Sequence, residues 1–201
     1  MKKGKIYPVG FRRKRIGKTH YGKRLKILVS DKPRLVIRKS LKNMQANIVA
    51  YDSNGDKVLS SANSRELEKF GWKLDKVNLP SAYLVGFLLG KRAKKNGIKN
   101  AVLDLGLNRP VKGGRFYAAL SGALDAGLDI PHNPKILPSK ERTAGDHIVK
   151  YALKLKNNEN AFKNQFNNYI SNDIDPEKII DYFNKTKNKI EEENNGKEKG
   201  R

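Results

Sequence analysis

The sequence predicts an α/β fold: a mixed, mainly antiparallel sheet packed by helices, with an extended basic arm at the amino-terminal end and a helical extension at the carboxyl-terminal end. Two turn signals divide residues 32–62 into three short apolar runs, which is typical of a β-meander. Residues 80–126 then alternate between helical and strand patterns, as layered α/β domains do. Apolar and aromatic side chains recur after residue 161 in an otherwise polar segment, which indicates further short helices docked on another surface.

The three strands are predicted from alternation and from turn residues. Residues 32–39 form the first strand, with Leu35 and Ile37 on one face. The other face carries Arg34, Val36 and Arg38. Residues 43–51 form its hairpin partner. An Asn-Gly turn leads to a third strand over residues 57–62, because Asn-Gly readily adopts the positive φ angles of a tight turn.

The next segment changes to helical periodicity. A short helix is predicted over residues 64–70 and a longer one over residues 80–95, each ended by a glycine. Residues 98–105 are a short apolar run suited to a buried strand. A glycine-rich loop over residues 106–114 then leads to a helix over residues 115–126.

The carboxyl-terminal part is predicted to be extended at first and then helical. Three prolines extend residues 131–138, and one helix is predicted over residues 139/140–155. Asp175 as the cap and Pro176 at the first helical position begin a later helix. We therefore expect a basic arm over residues 1–26, an α/β core over 27–130, a helical extension over 131–190 and a disordered tail over 191–201.

The charge distribution predicts a polyanionic partner. The first 26 residues contain eleven lysines and arginines and no acidic residue, so we expect the arm to be extended until a partner neutralises it. The whole chain carries a formal net charge of +23. Residues 1–156 contain 35 basic and 11 acidic residues, whereas the rest contains eight and nine. The polyanion is therefore expected to meet the first three quarters of the chain, with a steep dependence on salt.

Composition excludes several classes of function. The chain has no cysteine, which excludes disulfides and thiolate chemistry. The longest apolar stretch, residues 82–89, is far shorter than the roughly 20 residues that span a bilayer. No apolar segment follows the basic amino terminus, so we predict no signal peptide and a cytosolic protein.

Asp104 is the main candidate for catalysis. A carboxylate at the end of a buried strand is where nucleases of the ribonuclease H type hold magnesium, but such a site needs several converging carboxylates. Asp52, Asp125 and Asp129 are the possible companions. The favoured interpretation is that Asp104 hydrogen-bonds the loop that follows it. The three histidines lack metal-ligand spacing, so we expect no cofactor, no metal and no catalytic residue.

The loop from Gly106 to Arg115 is glycine-rich, basic and placed before a helix. Its amides and the side chains of Arg109, Lys112 and Arg115 are suited to an RNA phosphate. A plain tight connection explains the glycines equally well, and both interpretations stay open.

Four segments of the chain together resemble a known family. They are PRLVIRKSLKNMQANIVAYDSNGDKVLSSANSREL, FGWK, PSAYLVGFLLGKRAKKNGIKNAVLDLGL and GALDAGLDIPHNP. In this order they resemble the large-subunit ribosomal protein L-eighteen family in its archaeal and eukaryotic form. The segment GFRRKRIGKTHYGKRLK is similar to the basic arm of that family, and the extension beyond Pro131 is typical of the archaeal type.

The resemblance implies a structural RNA-binding protein of the large ribosomal subunit rather than an enzyme. Members of the family bind 5S ribosomal RNA in the central protuberance, contact 23S-type RNA and adjoin another 5S-binding protein, L-five. The arm residues that match are Arg12, Arg13, Lys14, Arg15, Lys18, Tyr21 and Arg24. The sheet and hairpin residues that match are Arg34, Arg38, Lys39, Ser40, Lys42, Asn43 and Gln45. The alternatives are a nonspecific nucleic-acid-binding protein and a magnesium-dependent nuclease of the ribonuclease H type.

Overall fold

The computed structural model describes residues 8–196. The strands are β1 (Arg34–Lys39), β2 (Met44–Ala50), β3 (Lys57–Asn63) and β4 (Val102–Asp104). The α-helices are α1 (Arg12–Arg15), α2 (Tyr21–Leu28), α3 (Leu79–Lys95), α4 (Arg115–Asp125), α5 (Lys140–Ala144), α6 (Asp146–Leu155), α7 (Glu159–Ile170) and α8 (Ile179–Gly196). Short 3-10 helices cover Ser64–Phe70, Pro134–Ile136 and Pro176–Lys178. The α/β class and the mixed sheet are confirmed.

The four strands form one sheet in the order β3-β2-β1-β4. β1 pairs antiparallel with β2 and parallel with β4, and β2 pairs antiparallel with β3. The register of β2 on β3 shifts between Ile48 and Val49. β4 is shorter than the predicted strand because Ala101 and Lys99 hydrogen-bond Asp129 instead of a neighbouring strand.

One face of the sheet packs on α3 and builds the core. Leu35 and Ile37 of β1 are fully buried on this face, as predicted, together with Ala46 and Ile48 of β2. α3 runs against β2 and β3 and crosses α4 closely. A Cβ atom at Gly86 of α3 would lie 1.8 Å from a carbonyl oxygen of α4, so glycine is required at this crossing.

The extension packs on this core rather than forming a separate unit. Ile174, Ile179, Phe183 and Ile190 are buried in the same apolar cluster as the sheet and α3. The predicted cap is confirmed, since the Asp175 side chain accepts a hydrogen bond from an amide of the 3-10 helix that begins at Pro176. In residues 8–196 no helix is both long and apolar enough to cross a membrane.

Two predictions about helices in the extension are wrong. The single helix predicted over residues 139/140–155 is two helices, α5 and α6, because Gly145 adopts a left-handed conformation with φ of 106° and packs against Ile179 and Pro80. The predicted disorder does not begin at residue 191, because α8 continues to Gly196. Residues 197–201 of the predicted disordered tail lie outside the described part of the chain.

Candidate nucleic-acid interface

The second face of the sheet carries no helix of the core. Val36 and Arg38 of β1 point to this face and pair with Asn47 and Gln45 of β2. Val36, which the alternation also predicts here, is half-buried, while Arg38 is exposed. The open face is therefore polar and basic over β1 and β2, because the alternation of side chains sends every second residue of each strand away from the core.

The arm folds on this open face. Arg24 of α2 donates to both carboxylate oxygens of Asp56, in the turn before β3, at 2.8 and 2.9 Å. Arg34 donates to Asp56 at 2.6 Å and to Asp104 of β4 at 2.7 Å. Asp56 thus joins the arm to the sheet through two guanidinium groups, and such charge-assisted hydrogen bonds are among the stronger ones in proteins.

The electrostatics of this network favour the ionised carboxylate. Burial alone would raise the pKa of Asp56, but the hydrogen bonds from Arg24 and Arg34 outweigh it and lower the pKa below its usual value. The Arg34 side chain is only 3% exposed. It lies on the predicted face of the sheet, but its guanidinium group is held within the protein by ion pairs with Asp56 and Asp104.

The prediction that the arm is extended is wrong for the residues that α1 and α2 cover. The Nδ1 of His20 accepts a hydrogen bond from the Lys23 amide at 3.0 Å and so caps α2. The Phe11 and Tyr21 rings lie 5.0 Å apart, which joins α1 to α2. Asp56 pairs with Arg24 of α2 and so holds this helix against the sheet. α2 also crosses the predicted boundary between residues 26 and 27.

A groove of about 1040 Å³ lies between the arm and the open face of the sheet, and we call it the arm-sheet groove. Its basic lining consists of Arg13, Lys18, Lys23, Arg24, Arg34 and Arg38. Its acidic lining consists of Asp56 and Asp104, and both carboxylates are already paired with Arg34. The groove therefore keeps a positive excess, and Tyr21 adds a half-buried ring to its wall.

The β1-β2 hairpin has an ordered turn beside this groove. The Ser40 hydroxyl accepts from the Asn43 amide at 2.9 Å and donates to the Asn43 carbonyl at 3.1 Å. Lys39 lies over the Phe116 ring at 5.6 Å. A depression, which we call the hairpin depression, brings together five predicted residues, Arg38, Lys39, Ser40, Asn43 and Gln45. Ser40 and Asn43 thus hold the hairpin's shape through their own hydrogen bonds.

Other predicted residues lie apart from the arm-sheet groove. Arg12, Lys14 and Arg15 are exposed on α1 but do not line it. Arg109 and Lys112 are exposed in the loop before α4. The remaining two, Lys42 and Arg115, line a different groove, and Arg115 donates to the Val77 carbonyl at 3.0 Å.

Three basic side chains of this region were not predicted from the sequence. Lys23 and His20 line the arm-sheet groove, and Arg65 lines the hairpin depression, where its Nε donates to Asn43 at 3.3 Å. The signal for Lys23 was its place among the eleven basic residues of the first 26. Arg65 carried none, because only the pairing of β2 with β3 brings it beside the hairpin.

Asp104 takes the role that the favoured interpretation gave it. Its Oδ1 accepts from the Gly106 amide at 2.9 Å, and its Oδ2 accepts from Arg34. Among the described residues, no group of three or more His, Cys, Asp or Glu side chains is placed to hold a metal ion. The candidate companion Asp125 instead accepts from the Tyr83 hydroxyl at 2.7 Å. Asp104 and Asp125 thus serve hydrogen bonds and an ion pair within the protein.

Comparison with protein families decides the class of the protein. A family model described as "Ribosomal large subunit proteins 60S L5, and 50S L18" matches residues 5–99 and 94–133, which together cover well over half of the chain. The chain belongs to this family. The resemblance noted in the sequence is thereby confirmed, and the protein is a large-subunit ribosomal protein of the archaeal and eukaryotic type. The matched residues include the arm, the sheet, α3 and α4, whereas α5 to α8 lie beyond them.

Proposed function

We propose that this ribosomal protein binds 5S ribosomal RNA through the arm-sheet groove and the β1-β2 hairpin. It would attach that RNA to the 23S-type RNA in the central protuberance, beside the ribosomal protein L-five. The observation that carries the proposal is the arm-sheet groove, where two independent segments of the chain converge on one basic cleft.

The shape of the groove suits a folded RNA better than a linear polyanion. Duplex RNA presents its phosphates and 2′-hydroxyl groups as a surface of fixed shape, so a rigid protein surface can select it without reading a sequence. The ion pairs through Asp56 fix α2 against the sheet, and the Ser40 turn fixes the hairpin. Phosphate contacts from Arg13, Lys18 and Arg38 would supply most of the affinity. Gln45 has amide groups suited to sugar or base edges.

The test is a salt series of binding titrations with 5S ribosomal RNA, using transfer RNA and duplex DNA as competitors. We expect 5S RNA to be preferred and the preference to persist as salt rises, because shape complementarity is not screened. Equal binding of all three nucleic acids, with a common loss at high salt, would leave only a nonspecific polyanion binder and refute the proposal.

A charge-matched pair of variants tests the location. Arg38 is exposed, lines both the groove and the hairpin depression, and makes one long contact to a backbone carbonyl at 3.4 Å. Arg38→Gln should weaken 5S binding by roughly fivefold and lower the salt slope by about one unit. Arg142→Gln removes the same charge from an exposed position on α5. It should leave the affinity for 5S RNA and the salt slope unchanged. Equal effects of the two variants would contradict this location.

A further inference from the structure

A second groove, of about 1130 Å³, lies between the core and the extension, and we call it the extension groove. One wall is the hairpin tip with the segment from Glu68 to Leu79, and the other is formed by α6, α7 and the residues that follow them. It shares no lining residue with the arm-sheet groove. Asn43 and Arg65 line both this groove and the hairpin depression, whereas Arg13, Lys18, Arg38 and Gln45, the side chains proposed above to contact 5S RNA, lie outside it. A 5S RNA held by those four side chains therefore leaves the extension groove available.

The core wall of the extension groove is basic. Lys42, Arg65 and Lys73 are exposed along it. Of its two carboxylates, Glu68 is paired with Lys76, and Asp75 accepts from the Val77 amide at 3.0 Å but keeps its charge, which the four cations Lys42, Arg65, Lys73 and Arg115 outnumber. The wall therefore offers cations at its surface and suits a chain of phosphates.

The extension wall is aromatic and rich in amides. The Tyr151 side chain is 46% exposed, and its ring lies 6.4 Å from that of Phe166, which supports it from one side. Gln165 and Asn168 of α7 add amide groups along the same wall. Burial, together with the nearby charge of Arg142, lowers the pKa of His147, so its ring is neutral at neutral pH and adds a further flat polar surface.

A basic wall opposite a stacking wall matches the chemistry of a single-stranded nucleic acid. Its phosphates need cations, and its unpaired bases need exposed rings to stack on and amides for their edges. A duplex hides the faces of its bases, so Tyr151 would have no stacking partner. An acidic peptide would use the cations of the core wall but has no flat base to place on Tyr151.

We propose that the extension groove binds a single-stranded segment of RNA, with phosphates along Lys42, Arg65 and Lys73 and a base stacked on Tyr151. This site is additional to the 5S contact of the arm-sheet groove. It lies partly in α6 and α7, beyond the residues that match the family model. It gives the extension an RNA-binding role of its own.

The test uses the full chain saturated with 5S ribosomal RNA and a fluorescent, short, single-stranded oligouridylate as the probe. Tyr151→Leu removes the stacking ring but keeps apolar packing on Phe166, and should weaken probe binding at least fivefold. Tyr151→Phe keeps the ring and should bind the probe as the wild type does. Lys73→Gln should weaken binding severalfold without touching the packing of the extension, since Lys73 is exposed. Lys154→Gln, an exposed site on α6 outside the groove, is the matched control.

The outcomes separate this proposal from the 5S proposal. Unchanged 5S affinity with loss of probe binding in Tyr151→Leu and Lys73→Gln supports the extension groove. Equal probe binding in all four variants, or tighter binding of an acidic peptide than of the probe, overturns it. If 5S RNA itself fails to bind, the probe is titrated on the chain alone with 4-thiouridine in place of uridine. Crosslinks at residues 147–169 then support the groove, whereas crosslinks confined to residues 8–28 overturn it.

Discussion

The crossing of α3 and α4 gives the sharpest test of the fold. A Cβ atom at Gly86 would lie 1.8 Å from the Ala119 carbonyl oxygen and 2.7 Å from the Ala119 carbonyl carbon. These atoms belong to the backbone of α4, so no side-chain rotation relieves the clash. Gly86→Ala would force the helices apart by about 1 Å or more to restore van der Waals contact. Overpacking of this kind costs about 1–3 kcal/mol.

The intrinsic preference of alanine for a helix works in the opposite direction. Replacing glycine by alanine inside a helix normally stabilises by about 1 kcal/mol, so the clash must exceed this gain for Gly86→Ala to destabilise. Because the clash is with backbone and far below contact distance, we expect it to cost about 3 kcal/mol, the upper end of the overpacking range, which leaves a net destabilisation of about 2 kcal/mol. For a chain of this length that corresponds to roughly 4–8 °C in Tm.

The assay is thermal unfolding followed by circular dichroism, with Gly22→Ala as the control. Gly22 lies inside α2, where an added Cβ would meet only the His20 ring at 3.3 Å, so this variant should keep the Tm or raise it by up to about 2–4 °C. A Gly86→Ala protein that unfolds at or above the wild-type Tm would refute the close crossing. Gly122→Ala would place a Cβ 2.1 Å from the Tyr83 carbonyl oxygen of α3. It should cost less stability in the Gly86→Ala background than alone, because one separation of α3 and α4 relieves both clashes.

Three further predictions concern the arm, the core and the extension. Asp56→Asn should release α2 from the sheet and cost about 1–2 kcal/mol at neutral pH, measured by urea unfolding and by faster amide exchange in α2. Because Asp56 has a lowered pKa in the folded protein, its contribution to the free energy of unfolding is present above the ordinary aspartate pKa and is lost as the pH falls through the lowered value. A difference in unfolding free energy between the wild type and Asp56→Asn that stays constant down to the most acidic pH would contradict this. Tyr83→Phe should cost about 1 kcal/mol, seen as a lower Tm, because it removes the hydroxyl that donates to the part-buried Asp125; an unchanged Tm would show that the hydrogen bond contributes nothing. Gly145→Ala should loosen the extension by about 1–2 kcal/mol, seen as faster proteolysis between α5 and α6, because φ of 106° is strained for alanine and its Cβ would meet Ile179 at 3.1 Å; wild-type protease resistance would contradict it.

The β-meander could be predicted because its signals are local. The alternation of Leu35 and Ile37 with polar neighbours and the Asn-Gly turn are written in adjacent residues, and the structure follows them to within one or two positions. Gly145 shows the opposite case. A glycine inside a helical pattern is tolerated in some helices and ends others, and only its packing against the distant residues Ile179 and Pro80 decides between them.

The candidate site was partly predictable for the same reason. The outward direction of Arg38 and the hydrogen bond from the Gly106 amide to Asp104 both follow from short-range rules. The burial of Arg34 does not, because its two carboxylate partners lie 22 and 70 residues away in sequence. The docking of α2 on the sheet uses the same carboxylate, since Arg24 and Asp56 lie 32 residues apart, and the first 26 positions contain no acidic residue that could have signalled it.

Both grooves reach a positive potential in the same physical way. Each contains two carboxylates, and in each the carboxylates are bound internally: Asp56 and Asp104 by Arg34, Glu68 by Lys76, and Asp75 by a backbone amide. The cations that remain at the surface therefore set the field that an incoming phosphate meets. Asp56, Asp104 and Glu68 oppose RNA binding less than unpaired carboxylates would, and their ion pairs hold the walls of the grooves in place. Removing one of these carboxylates should cost more in fold stability than it gains in attraction for RNA. Asp56→Asn therefore tests the binding site as well as the arm.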